Sequence, residues 1–341
     1  MVAFHPTKQI AATSSIDNSI AIWDLELGRL VKRLTGNQHN VTAAVFSPDG
    51  TLLASADKTA GVDVWNIESG SFEIFKGEQT ADKIRHIVFS RDGGTLIGGC
   101  DNGKIIVWNA KNGDRLAEFV GHRAKIQGLE FSPDGAALAS ASEDSTVKLW
   151  RVSDWSWVRT FVGHRSGVYE IAFSPDGRLL LTASDDKTAR LWRVDSGKEI
   201  GTPIQHESPV WAVDISPDGS TIATGSEDST VQLWDLAYSD GNAKIQNHTT
   251  LRLSDGPVWW LRFHKDSMGI RLGITGQDRT LRIFNISRFK MLFSNPKVLE
   301  EEAQSQSGLM VRGTSEEPQI LTAIAEPQAG EQLGSSAQAT P

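Results

Sequence analysis

The sequence predicts an all-β fold of seven repeats, each supplying four short antiparallel strands. Three observations predict it. Trp23, Trp65, Trp108, Trp150, Trp192 and Trp234 follow one another at steps of 42, 43, 42, 42 and 42 residues, and Phe284 takes the seventh place after a step of 50. A fixed period of this size marks a stacked or radial repeat. Within each period, stretches such as VYEIAFS (168–174) alternate apolar and other residues with period two, as half-buried strands do. Finally, Ser-Pro-Asp-Gly recurs at 47–50, 132–135, 174–177 and 216–219. Proline presets the φ of a turn, aspartate bonds the local backbone and glycine accepts a left-handed conformation.

The elements follow in order along one unit. GHRAKIQGLEFSPDGAALASASEDSTVKLWRV (121–152) returns nearly intact from Gly163 and again, opened by Gln205, as QHESPVWAVDISPDGSTIATGSEDSTVQLWDL. A first strand ends at the Ser-Pro-Asp-Gly turn, RLLLTAS (178–184) is a second and ARLWRV (189–194) a third. A fourth follows the tryptophan, as in WVRTFVG (157–163). Val2–Phe4 aligns with the end of a first strand but lacks the Gly-His segment before it, which suggests a natural product extending upstream or a misassigned start. Met291–Ser294 stands where earlier units have their fourth strand. From Asn295 to Pro341 there is no aromatic residue, and seven Glu face only Lys297 and Arg312. That composition reads as a disordered acidic tail, with Gln319–Ala325 read as an incidental apolar run over the alternative of a segment that docks on a partner.

These residues resemble the WD40-repeat β-propellers: Gly-His pairs, Ser-Pro-Asp-Gly turns, Ser-x-Asp turns and Leu-Trp endings, in register over about 1–294. The resemblance implies a seven-bladed WD40 propeller over 1–294, and the residues themselves add a truncated first strand and a disordered C-terminal tail at 295–341. It also implies that matching His, Ser/Thr, Asp and Trp residues form a buried hydrogen-bonded network within each blade. His122, Asp144 and Trp150, His164, Asp186 and Trp192, and His206, Asp228 and Trp234 match it in blades four, five and six. Their spacing repeats with the blade, which separates the histidines rather than gathering them around one metal ion. Blade one keeps Asp17 and Trp23 without the histidine, and blade seven has Ser254, Asp278 and Phe284. Blades two and three carry Asn37 with Thr59 and Thr80 with Asn102, so they should be the looser ones.

Positions that the repeat leaves free carry the functional expectation. The apolar residue opening each first strand faces the core, so the next residue points the other way. In similar propellers that next position lines the top-face mouth of the central channel. Here it reads Thr42, Arg85, Gln127, Tyr169, Trp211 and Trp259. The residue before each turn aspartate reaches the same face, as Glu143, Asp185, Glu227 and Gln277. Aromatic faces ringed by carboxylates suit an inserted Arg or Lys, and Tyr and Trp anchor protein interfaces. Trp260 is expected between blades, and Trp155 and Trp157 in structural roles at the bottom edge of blade four.

Composition removes other classes. One cysteine, Cys100, forms no internal disulfide, and no apolar run approaches a membrane span of roughly 20 residues. A net charge of -8 disfavours direct binding to nucleic acid or anionic membrane. There is no G-x-S-x-G elbow, no H-E-x-x-H and no P-loop. The expectation is therefore a cytoplasmic (nuclear left open) noncatalytic scaffold for protein or peptide partners, with no cofactor and no metal. A sensor or autoinhibitory module of a larger signalling protein is the alternative, and a propeller hydrolase a more distant one.

Overall fold

The computed structural model describes residues 2–14, 18–25, 27–35, 41–57, 62–68, 72–75, 82–239, 242–253, 256–266, 269–276, 280–286 and 321–324. These residues form seven four-stranded antiparallel sheets. Blade five shows the plan: Val168–Phe173, Leu179–Ser184, Thr188–Arg193 and Glu199–Gln205 pair in chain order from the axis outward. First strands of successive blades pack side by side around the axis. Val2–Phe4 meets Val258–Asp266, and this contact closes the ring.

The turns form as their residues dictate. In blade five Ser174 Oγ donates to Asp176 (2.5 Å), the Ser174 N–H reaches Leu179 O (3.0 Å), and Gly177 sits at φ +70. In blade one His5 replaces the serine. Its Nδ1 accepts the Thr7 and Lys8 N–H groups, which leaves Nε2–H to donate to Gly50 O of blade two at 3.0 Å.

Blades do not own their cores. Seven clusters of buried residues occupy the seven joints between neighbouring sheets, as Val147, Phe161, Val168, Ile171 and Trp192 do between blades four and five. Sheet twist and face-to-face packing make this the natural solution, because each blade buries one face against each neighbour. The joint between blades seven and one contains Trp23, Ile283 and Trp260. Trp260 therefore packs between blades as expected.

One expectation needs correcting. The strand that completes blade seven is Leu321–Ile324, paired from Thr280↔Ile324 to Ile283↔Leu321, drawn from the apolar run read as incidental within the tail. Met291–Ser294 lies outside the described residues, as does the rest of 295–341. Trp157 is 59% exposed on the outer strand of blade four, where its N–H donates to Thr160 Oγ1 at 3.1 Å, whereas Trp155 stacks on Phe119 at 6.2 Å. Placing Trp157 at the sheet's outer edge leaves no neighbouring blade to cover it.

Candidate functional site

A β-bulge builds the site. In blades five, six and seven the pairing of the first strand slips between the first and third residues, at Val168/Glu170, Val210/Ala212 and Val258/Trp260. Blades two and four slip at the same place. The extra residue resets the alternation, so that positions two and five of the strand face the axis. Position two is the one that sequence reasoning singled out. Thr42, Arg85, Gln127, Tyr169, Trp211 and Trp259 all line one cavity of about 260 Å³ at the mouth of the channel. Its other lining residues are His86, Glu170 and Trp260.

The rim is held by pairs that cross strands or blades. Trp211 Nε1 donates to Asp185 Oδ1 at 3.1 Å. Burial and the bond to Asp185 push the Tyr169 hydroxyl up to about 12. Gln127 Nε2 donates to Glu143 Oε1 (2.8 Å), which also pairs with Lys125 Nζ (3.0 Å). Arg85 grips Asp101 through Nε (2.5 Å) and Nη2 (3.2 Å). Asp101 occupies the same slot as Glu143 and Asp185, so the repeat register could have found it. Glu227 is exposed and does not line the cavity, and Gln277 lies outside the described residues. Trp259 is 47% exposed at the open end.

Below the rim lies a charged layer that sequence reasoning missed. Arg262 stands among Asp214 (3.5 Å), Glu130 (3.8 Å) and Glu170 (3.8 Å), with its guanidinium 5.3 Å from the Trp260 ring centre. Glu130 accepts the Phe173 N–H (3.1 Å) and Asp214 the Phe263 N–H (2.6 Å), each from the next blade. Burial pushes Glu130 up to about 7 and Glu170 to about 8, against the pull of Arg262. Unbroken alternation would assign position four of the strand to the axis. The bulge moves that role to position five, where Glu130, Asp214 and Arg262 sit.

The matched networks lie apart from the mouth, inside the blades. His122 Nδ1 is 2.9 Å from Asp144 and Nε2 is 2.7 Å from Ser140 Oγ, which also accepts the Trp150 N–H at 2.8 Å. His164, Asp186, Thr182 and Trp192 repeat this at 2.9, 2.7 and 3.0 Å. Burial alone would raise Asp186, but the bonds from His164, Thr188 and the Arg165 N–H outweigh it and hold the carboxyl well below its ordinary range. Blade six departs from the pattern. His206 Nδ1 is 3.6 Å from Asp228, and among the described residues the Trp234 N–H has no hydrogen-bond partner. In blade three Asn102 and Lys104 share Asp82, at 2.5 and 3.0 Å, a carboxylate just past the Thr80 that sequence reasoning named. Asn37, Thr59, Thr80, Asp17, Ser254 and Asp278 lie outside the described residues. Among the described residues no group of three or more His, Cys, Asp or Glu could hold a metal ion.

Two family models match this chain. One, the IFT122 first β-propeller, covers residues 83–309, and the other, the WD domain, G-β repeat, covers 1–24 and 28–66. The chain is a WD40-repeat β-propeller. Among curated WD40 relatives, the WD repeat-containing protein SL1-17 of Schistosoma mansoni is 33% identical over 33% of this chain and 37% of its own length. The rat apoptotic protease-activating factor 1 is 35% identical over 30% of this chain and 8% of its own length. The nuclear distribution protein PAC1 of Coccidioides posadasii is 29% identical over 37% of this chain and 38% of its own. The chain thus spans well under half the length of these relatives. WD40 propellers are generally non-enzymatic and generally bind proteins or peptides.

Proposed function

We propose that this propeller is a noncatalytic scaffold whose top-face mouth receives an extended peptide or protein segment inserting Arg or Lys. One observation carries the reading: Tyr169, Trp211 and Trp259 line a single cavity whose rim holds the carboxylates of Asp185 and Glu143. Aromatic faces attract a cation by roughly 0.5–2 kcal/mol, and the carboxylates add complementary charge. A preformed rim keeps the ordering cost of binding low. The net charge of -8 supports a basic protein partner over nucleic acid or an anionic membrane. The cavity, at about 260 Å³, falls below the roughly 300–1,000 Å³ of small-molecule sites, so it suits one side chain better than a whole metabolite.

The test is a peptide array and pull-down from native cells with wild type, Trp211→Ala and Trp259→Ala. The reading expects both variants to stay folded and lose partners. If they retain every partner, the binding surface lies elsewhere.

A second reading has one supporting observation. The match to apoptotic protease-activating factor 1 spans only 8% of that protein, as a module within a larger chain would. An in-frame NTPase, kinase or protease domain upstream of Met1 would favour a sensor or autoinhibitory role.

A further inference from the structure

The floor of the mouth carries polar groups that the described residues leave without hydrogen bonds. Among the described residues Glu170 Oε1, 3.8 Å from Arg262, is buried without a hydrogen-bond partner, and so are both ring nitrogens of His86. The two residues are only 4% and 5% exposed, and both line the cavity under Trp211 and Trp259. Buried polar atoms without partners are uncommon in native proteins, and each asks for a reason. Here the reason is not a lack of cations in the channel but an excess of claimants. Arg262 stands closer to Asp214 than to Glu170, and Glu130 competes for it as well. One guanidinium does not satisfy three carboxylates.

We infer that the mouth takes up one cationic side chain by proton exchange: Glu170 is its terminal acceptor, beside the neutral His86 ring, and gives up a proton to the incoming cation's charge. This rests on the cationic-peptide reading above and adds the residue that receives the charge. The exchange balances simply. The Glu170 carboxylic acid becomes a carboxylate paired with the ammonium or guanidinium, and its proton leaves to solvent through the open mouth. No bond within the ligand changes.

The surroundings favour a protonated acid when the site is empty. Burial raises Glu170 to about 8, with Glu130 and Asp214 adding to the rise and Arg262 opposing it. His86 faces the same cavity, and burial holds it at about 3, so it stays neutral across the range that matters. Nearer the rim stand Arg85 with Asp101, Lys125 with Glu143, and Asp185 with Trp211, all engaged with one another. Tyr169, pushed to about 12, keeps its proton throughout. Glu130, raised to about 7, does not line the cavity, so among the lining residues Glu170 is the group whose charge a guest would switch on near neutral pH. An inserted cation then finds aromatic walls and a carboxylate that exists because the cation arrived.

The experiment uses the full chain, immobilised, and three degenerate nonapeptide pools with a fixed central Lys, Arg or Gln. Capture is measured from about pH 6 to about pH 9 at constant low salt. Wild type should prefer the Lys and Arg pools over the Gln pool. The preference should rise by up to about tenfold per pH unit and level off above about 8. Glu170→Gln, nearly isosteric, should bind weakly and lose most of the pH dependence, leaving only what Glu130 contributes, while Trp211→Ala should lose capture at every pH. An infrared band of the protonated Glu170 carboxyl, present in the free protein near pH 7 and lost on adding captured peptide, gives a readout independent of the variants. A cationic preference that stays flat with pH, or that keeps its slope in Glu170→Gln, overturns the proton exchange and leaves the mouth reading standing. Absence of any cationic preference in wild type overturns both.

Discussion

The Trp211 indole N–H donates to the Asp185 carboxylate at 3.1 Å, joining the first strand of blade six to the turn of blade five. The aromatic anchor and the acidic rim are therefore one unit. Trp211→Ala should weaken partner binding by about 2 kcal/mol or more while leaving the melting temperature nearly unchanged. Asp185→Lys should weaken it most at low salt, where screening is least. Because Asp185 also positions Trp211, the double variant should lose less than the sum of the two single losses. Strict additivity in calorimetric titrations would show that the bond has no role in recognition.

A second prediction separates the blades. Asp186 is nearly buried and closes the network of His164, Thr188 and the Arg165 N–H, so Asp186→Ala strands several donors. It should cost roughly 1–3 kcal/mol. Asp228→Ala should cost less, because the carboxylate of blade six is more exposed and lies 3.6 Å from His206. Chemical denaturation of the two variants checks the order, and equal losses would contradict it.

A third concerns pH. Burial raises Asp63 to about 6, Glu130 to about 7 and Glu170 to about 8. In the unfolded chain these groups lose their protons near the ordinary carboxylate range. The stability they contribute is present below that range and is lost as pH rises through about 6 to 8. Asp144 and Asp186 act oppositely: held low by their hydrogen bonds against the effect of burial, they contribute stability that is lost as pH falls below the ordinary range. The decline begins as pH rises out of the ordinary carboxylate range and is complete above about 8. Melting temperature should thus peak at the ordinary carboxylate range itself and fall steadily toward neutral pH. Glu170→Gln should flatten the alkaline decline. A melting temperature that climbs from about pH 5 to pH 8 would refute this assignment.

The fourth is local. Gly103 has φ +81, and a Cβ there would stand 2.2 Å from the backbone oxygen of His122. Ser145 and Lys187 adopt similar angles in the matching turns of blades four and five, so the angle alone is tolerable in this fold. The clash with the main chain is particular to Gly103. Gly103→Ala should therefore destabilise well beyond the cost of the left-handed angle, whereas Ser145→Gly should be close to neutral. Thermal melts of the two variants decide.

Much of this was legible in the sequence for a definite physical reason. Burial period, turn chemistry and repeat spacing all act locally, so the tryptophan steps give the blades and position two of each first strand gives the mouth. The charged floor was not legible. Strict alternation misses Glu130, Asp214 and Arg262, because a one-residue bulge shifts the axis-facing role from position four to position five. Glu170 and His86 share the next position after the named ones, where the sequence shows no alternation to follow. The outer strand of blade seven escaped for another reason. Leu321–Ile324 is paired at long range, and a short apolar run in an acidic stretch carries no local mark of its partner.

The joint formed by Trp23 and Trp260 sets a schedule for synthesis. The two indoles are 237 positions apart in the sequence, so at roughly 5–20 residues per second the first waits about ten to fifty seconds for the second. Throughout that interval one apolar flank of blade one has left the ribosome with nothing to cover it. Every blade added meanwhile covers its predecessor and exposes a new flank of its own. The growing chain thus always presents two sticky ends, which makes it a natural client of chaperones until the circle shuts.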